Sequence, residues 1–80
     1  MNNLAKSVYN WISSNFTVRR TRSHNYVIIL STATATIYIY NDIIEYYTHT
    51  AYMIGDRQDE GILNYYDPQL FDKIKKIIRG

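Results

Sequence analysis

Eighty residues hold one domain, because a second hydrophobic core would leave each half near the roughly 40-residue limit of independent folding. Apolar residues at 46%, led by twelve Ile and nine Tyr, against 20% charged exclude a disordered chain, and zero Cys excludes disulfide staples and thiolate metal sites. A net charge of +2 is too mild to name nucleic acid as the partner, and seven scattered carboxylates are too few for a nucleic-acid mimic.

The first segment, Met1 to Trp11, lacks the continuous apolar stretch and small-residue cleavage site of a secretory signal, so the chain reads as unprocessed and cytoplasmic. From Asn3 to Ser14, Leu4, Val8, Trp11 and Ile12 fall at i, i+4, i+7 and i+8, one stripe of a helix of about three turns. Asn2 or Asn3 can cap it, and Ser13, Ser14 and Asn15 end it.

Phe16 to Arg22 alternates, Ser23-His24-Asn25 supplies turn chemistry, and Tyr26 to Leu30 follows as a strand apolar on both parities, which suits a central or doubly covered position. Between Leu30 and the next strand, Ser31-Thr32-Ala33 contains no Gly or Pro, so a turn and a single bulged strand are both open. The run Asn25 to Asn41 has no charge for 17 residues, but its Thr/Tyr against Ala/Ile alternation has period two and is not a membrane helix.

Asn41-Asp42 predicts a two-residue hairpin turn, and that turn fixes register. Tyr40 then faces Ile43, Tyr38 faces Glu45, Thr36 faces Tyr47 and Thr34 faces His49 on one surface. Ala35, Ile37, Ile39, Ile44, Tyr46, Thr48, Tyr52 and Ile54 form the other, more apolar surface, which is the expected core face. Gly55 to Gly61 reads as a polar loop, and Ile62 to Tyr65 as a short additional strand. Asp67-Pro68 opens a helix in which Leu70, Phe71, Ile74, Ile77 and Ile78 repeat at helical spacing, with Asp72 and Lys76 in the favourable i,i+4 order.

This order predicts an α+β two-layer domain: an N-terminal helix, three or four antiparallel strands and a C-terminal helix. Both helices lie on the Ile37, Ile39, Ile44 face, which receives Leu4, Val8, Trp11, Leu70, Phe71, Ile74 and Ile78.

Catalytic constellations do not assemble. His24 and His49 are separated by a hairpin and lack i,i+4 spacing, so His49 reads as an exposed polar strand residue and no metal site or acid–base pair is expected. Asp56, Asp59 and Glu60 match no calcium-loop spacing, the three glycines are too dispersed for a phosphate loop, and no serine has a nucleophile-elbow context. The expected protein is not an enzyme and carries no cofactor.

Seven of the nine cations cluster: Arg19, Arg20 and Arg22 in the first strand, and Lys73, Lys75, Lys76 and Arg79 on the last helix. The arginines put charge on both faces of that strand, as an edge strand protected from self-pairing would, or as a phosphate contact beside stacking tyrosines. Tyr38, Tyr40 and Tyr47, opposite the core face, suit a binding surface, because Tyr offers large contact area at low entropic cost, and equally suit plain cross-strand stabilisation. The expected function is a protein-binding module that blocks or bridges a macromolecular partner through Tyr38, Tyr40 and Tyr47, with Arg19, Arg20 or Arg22 along the adjoining edge. Self-association through the same face or edge competes with a foreign partner, and the alternative is weak single-stranded RNA or DNA binding. In size, absence of Cys and absence of catalytic motifs the chain is similar in type to small phage and mobile-element inhibitors of host defence complexes, anti-CRISPR proteins among them, although no motif joins it to them.

Overall fold

In a computed structural model, which describes residues 1–50 and 57–79, the chain starts with a cap. Asn2 Oδ1 accepts the Ala5 N–H at 2.9 Å, and α1 runs over Asn3–Asn15. That satisfies one of the N–H groups a helix start leaves without an intrahelical partner. The same Asn2 is anchored to the hairpin turn: its backbone N–H donates to Asn41 Oδ1 and its Nδ2 to the Asn41 carbonyl, both at 2.8 Å.

The strands β1 (Arg20–Ser23), β2 (Val27–Ser31), β3 (Ala35–Tyr40), β4 (Ile43–Thr48) and β5 (Asp59–Asn64) form one antiparallel sheet in sequence order. The chain ends in α2 (Leu70–Arg79). The architecture is therefore the expected α+β order, with five strands instead of three or four.

Strand β1 starts at Arg20 and not at Phe16, because Phe16 and Val18 turn inward and pack on the core from an irregular segment. The cations consequently do not straddle the strand. Arg20 and Arg22 share one parity of β1, and Arg19 precedes it, its N–H donating to the Ser31 carbonyl at 2.8 Å. β1 is an edge strand, as its charges suggest.

Between β2 and β3 the chain turns; it does not bulge. Thr32 is buried, its Oγ1 accepts the Ala35 N–H at 3.1 Å and the Thr34 N–H at 3.3 Å, and its own N–H donates to the Ala35 carbonyl at 2.8 Å. A threonine side chain thus does the work for which Gly or Pro was missing. The next hairpin has the expected register, Tyr38 opposite Glu45 and Thr36 opposite Tyr47, with the His49 N–H donating to the Thr34 carbonyl at 3.0 Å.

The expected Gly55–Gly61 loop is overturned in its second half: Asp59, Glu60 and Gly61 belong to β5, where backbone pairing to β4 is compatible with polar side chains at a sheet edge. Tyr52, Ile54, Gly55 and Asp56 lie outside the described residues. Gly61 pairs with Tyr46, whose ring lies across it, so a Cβ there would stand 2.7 Å from the Tyr46 hydroxyl and 3.0 Å from two ring carbons. Gly61→Ala is accordingly expected to lose about 1–3 kcal/mol in urea unfolding, the usual range for overpacking, and Tyr46→Leu in the same chain to recover much of it. Equal stability of Gly61→Ala and wild type would show that the ring yields freely.

Ala5, Val8 and Ile12 of α1 and Leu70, Ile74 and Ile78 of α2 meet Leu30, Ala35, Ile37, Ile39, Ile44 and Leu63 in one buried cluster. Both helices therefore cover the predicted core face. Two expected core members are not there: Leu4 and Phe71 remain 42% and 41% exposed, because Ala5 lets α1 approach the sheet in place of Leu4, and Phe71 lies outside against Trp11, ring centroids 4.5 Å apart. At the start of α2, Asp67 Oδ1 accepts the Gln69 N–H at 2.8 Å and Lys73 pairs with its other oxygen, holding the Asp67 carboxyl below its ordinary range. Among the described residues α2 forms that ion pair and not the expected Asp72–Lys76 one. Thr34 Oγ1 donates to the Ile78 carbonyl, fastening the end of α2 to the β2–β3 turn. Among the described residues no helix is long and apolar enough to cross a membrane.

Candidate functional site: the open sheet face

Strand parity sorts every sheet residue onto the helix-covered face or the opposite one. On the opposite face three ranks run across the strands. Arg22, Ile29, Tyr38, Glu45 and Ile62 stand side by side in the first; Val27 beside Tyr40 and Ile43 beside Asn64 form the second; Arg20, Ser31, Thr36, Tyr47 and Glu60 form the third.

The third rank is closed at its centre, at Thr36 and Tyr47, and exposed at its ends, Arg20 and Glu60. Tyr47 is 9% and His49 3% exposed, which corrects the expectation of an exposed histidine. His49 Nδ1 lies 2.9 Å from the Thr50 carbonyl, which only accepts, so Nδ1 carries the proton. In the neutral ring Nε2 then accepts from Thr36 Oγ1 at 3.0 Å, which leaves Thr36 Oγ1 to accept from Ser31 Oγ at 3.3 Å. Both ring nitrogens are thus engaged inside the fold. The Tyr47 ring packs on His49 at 5.6 Å and on Tyr38 at 6.1 Å, and the Arg57 guanidinium sits 4.2 Å over it while bonding Glu60 at 3.2 Å.

The first two ranks are accessible. Tyr38, Tyr40, Val27, Ile29, Ile43 and Glu45 are half-buried, Ile62 is 66% exposed, and Arg22 stands exposed at the β1 edge. Burial raises the Tyr38 hydroxyl above the ordinary phenol range, aided by hydrogen bonding with Tyr47 and opposed by the Arg57 charge. A groove of about 490 Å³ opens on the β4–β5 side of this face, lined by Tyr38, Glu45, Tyr47, Arg57, Glu60 and Ile62.

Of the sequence-derived site, then, Tyr38, Tyr40 and Tyr47 share the predicted face, but Tyr47 lies beneath the surface as a support. Arg20 and Arg22 join that face at its β1 edge and Arg19 does not belong to the strand. From the sequence, Ile43 is placed on this face beside Tyr40 without being made a site residue, and Val27, Ile29 and Ile62 are not placed there. Their signal is the adjacent apolar pair: a strand with Ile43-Ile44 or Ile62-Leu63 must turn one of the two away from a singly covered core.

A second cavity, about 270 Å³, lies between α1 and the start of α2 against Leu4, Val8, Tyr65, Pro68 and Phe71. Tyr65 donates to the Tyr40 carbonyl, and burial with the nearby Asp42 charge pushes its hydroxyl up to about 12. Among the described residues no three His, Asp or Glu side chains converge where a metal ion could sit. No protein-family model, curated protein or solved structure matches the chain.

Proposed function

We propose that this chain is a non-enzymatic protein-binding module that blocks or bridges a macromolecular partner through the open face of its sheet. One observation carries this reading: Val27, Ile29, Tyr38, Tyr40, Ile43 and Ile62 form an aliphatic and aromatic surface around Glu45 on the side away from both helices. A small domain that leaves such a surface accessible forgoes burial its own fold could use, and contiguous apolar patches of this kind mark contact surfaces. Tyr38 and Tyr40 supply rigid contact area, Arg22 and Arg20 a basic rim, and the buried Tyr47–His49–Thr36 assembly holds Tyr38 from below. A phosphate track is disfavoured, because Glu45 stands beside Tyr38 and Glu60 beside Tyr47, where a nucleic-acid backbone would need cations.

The test is affinity capture from the native host with wild type beside Tyr38→Ala/Ile62→Ala. Each truncation should cost about 1–3 kcal/mol of binding, so the double variant should lose the partner, while its thermal melt stays near wild type because both side chains lie off the core. Retention of every partner by the double variant refutes the reading. So does micromolar binding of wild type to single-stranded RNA or DNA at about 150 mM salt that collapses as salt is raised.

A further inference from the structure

We infer that the occupant of the open face is a second copy of this chain, packed sheet to sheet about a twofold axis parallel to β3, with Arg22 of each copy entering the Glu45-lined groove of the other. The inference rests on the open face being a contact surface and names what covers it.

Glu45 is the starting point. It sits half-buried in its rank, between Tyr38 and Ile62, and among the described residues its carboxylate has no hydrogen bond or ion pair. An occupant that covered this rank with apolar surface alone would strand a carboxylate away from water with no partner, which opposes binding. Arg57 lines the same groove but is engaged by Glu60 and Tyr47, so a cation that meets Glu45 has to come from the occupant. The groove there already holds one guanidinium, Arg57, stacked on Tyr47 and bonded to Glu60, so the local chemistry suits planar cations.

The face itself carries the complement. Arg22 is exposed on β1, in the same rank as Glu45, and among the described residues it has no carboxylate partner. A twofold axis along β3 keeps each rank in place and exchanges β1 with β5. It lays Tyr38 on Tyr38 and Ile29 on Glu45, carries Arg22 over Ile62, one strand or about 4.8 Å from Glu45 and within reach of a long guanidinium side chain, and sets Arg20 over Glu60. The other in-plane axis, running across the strands, lays β1 on β1 and drives arginines together. Charge thus selects one operator, and aligned sheets packed about 10 Å apart are a standard solution for two half-covered sheets.

Size sets the strength. Five strands spaced about 4.8 Å and strands of about 20 Å give a footprint of at most about 480 Å² per copy, below the roughly 800 Å² per partner of a tight complex. The dimer should form in the micromolar range and be sensitive to salt.

Sedimentation equilibrium at about 50 mM salt, from about 10 µM to about 1 mM protein, tests this with wild type, Arg22→Glu, Glu45→Arg and the double charge swap. Wild type should dimerise, each single change should weaken dimerisation by about tenfold or more, and the double swap should return to within about threefold of wild type. Should a variant fail to fold, wild-type NMR still decides, since Ile29, Tyr38 and Ile62 resonances should move with protein concentration. A wild type monomeric at every concentration, a dimer unmoved by the single changes, or a double swap no better than either single change overturns the inference. If wild type stays monomeric while Tyr38→Ala/Ile62→Ala still loses a foreign partner, the twofold dimer fails and the protein-binding reading stands. If neither effect is found, both fail.

Discussion

Ile39→Ala is expected to lose about 2–5 kcal/mol. Ile39 is wholly buried on the central strand β3, paired to Ile28 on one side and Ile44 on the other, beneath both helices. Removing three carbons there leaves a cavity that five paired strands cannot collapse into without breaking ladder bonds. An 80-residue domain holds only about 4–12 kcal/mol in total, so this one change should consume much of it and lower Tm by on the order of 10–30 °C. Urea unfolding monitored by circular dichroism checks the value. Phe71→Ala is the matched comparison: although the same helical stripe contains Phe71, its ring lies outside against Trp11, and its loss should be clearly smaller. Equal losses at Ile39 and Phe71 would contradict the helix–sheet packing.

Thr36→Val is expected to destabilise by about 1–3 kcal/mol although the change removes one hydroxyl and adds one methyl. Thr36 Oγ1 is the donor that satisfies His49 Nε2 inside the fold, and valine leaves that nitrogen buried with nothing to accept from. The Ser31 hydroxyl loses its partner at the same time. The cost is one of an orphaned polar atom and not of lost volume, which dictates the form of the check. His49→Phe in the Thr36→Val background removes the orphan, so the double variant should be more stable than the sum of the two single losses by about 0.5–3 kcal/mol. Additive losses in the double-mutant cycle would mean that Thr36 and His49 are not coupled.

The β3–β4 register, the two helices and the core face were legible because each depends on local, periodic information. Leu4, Val8, Trp11 and Ile12 mark one side of a helix at any tertiary placement, and Asn41-Asp42 fixes which residues of β3 and β4 oppose each other. Parity then places Tyr38 and Tyr40 opposite Ile37 and Ile39 with no further input. The Ser31–Ala33 turn is local as well, since Thr32 Oγ1 bonds Thr34 and Ala35, but a Thr-rich alternation hides which hydroxyl takes that role.

By itself the sequence determined a cysteine-free α+β fold, the helix–strands–helix order of its elements and the side of the sheet that becomes the core, since these follow from side-chain period and from turn chemistry over a few residues. Only the tertiary structure decided that Asp59, Glu60 and Gly61 are strand, because an edge strand is recruited by backbone hydrogen bonds to β4 that carry no side-chain signature. It likewise decided that Ala5 and not Leu4 meets the sheet, which depends on the distance between helix and sheet, and that His49 is enclosed, which depends on β2, β3 and β4 bringing Ser31, Thr36 and His49 together. The aliphatic rank around Glu45 belongs to the same class. Its members come from β2, β3, β4 and β5, and residues separated along the chain become one surface only when the ladder sets them side by side.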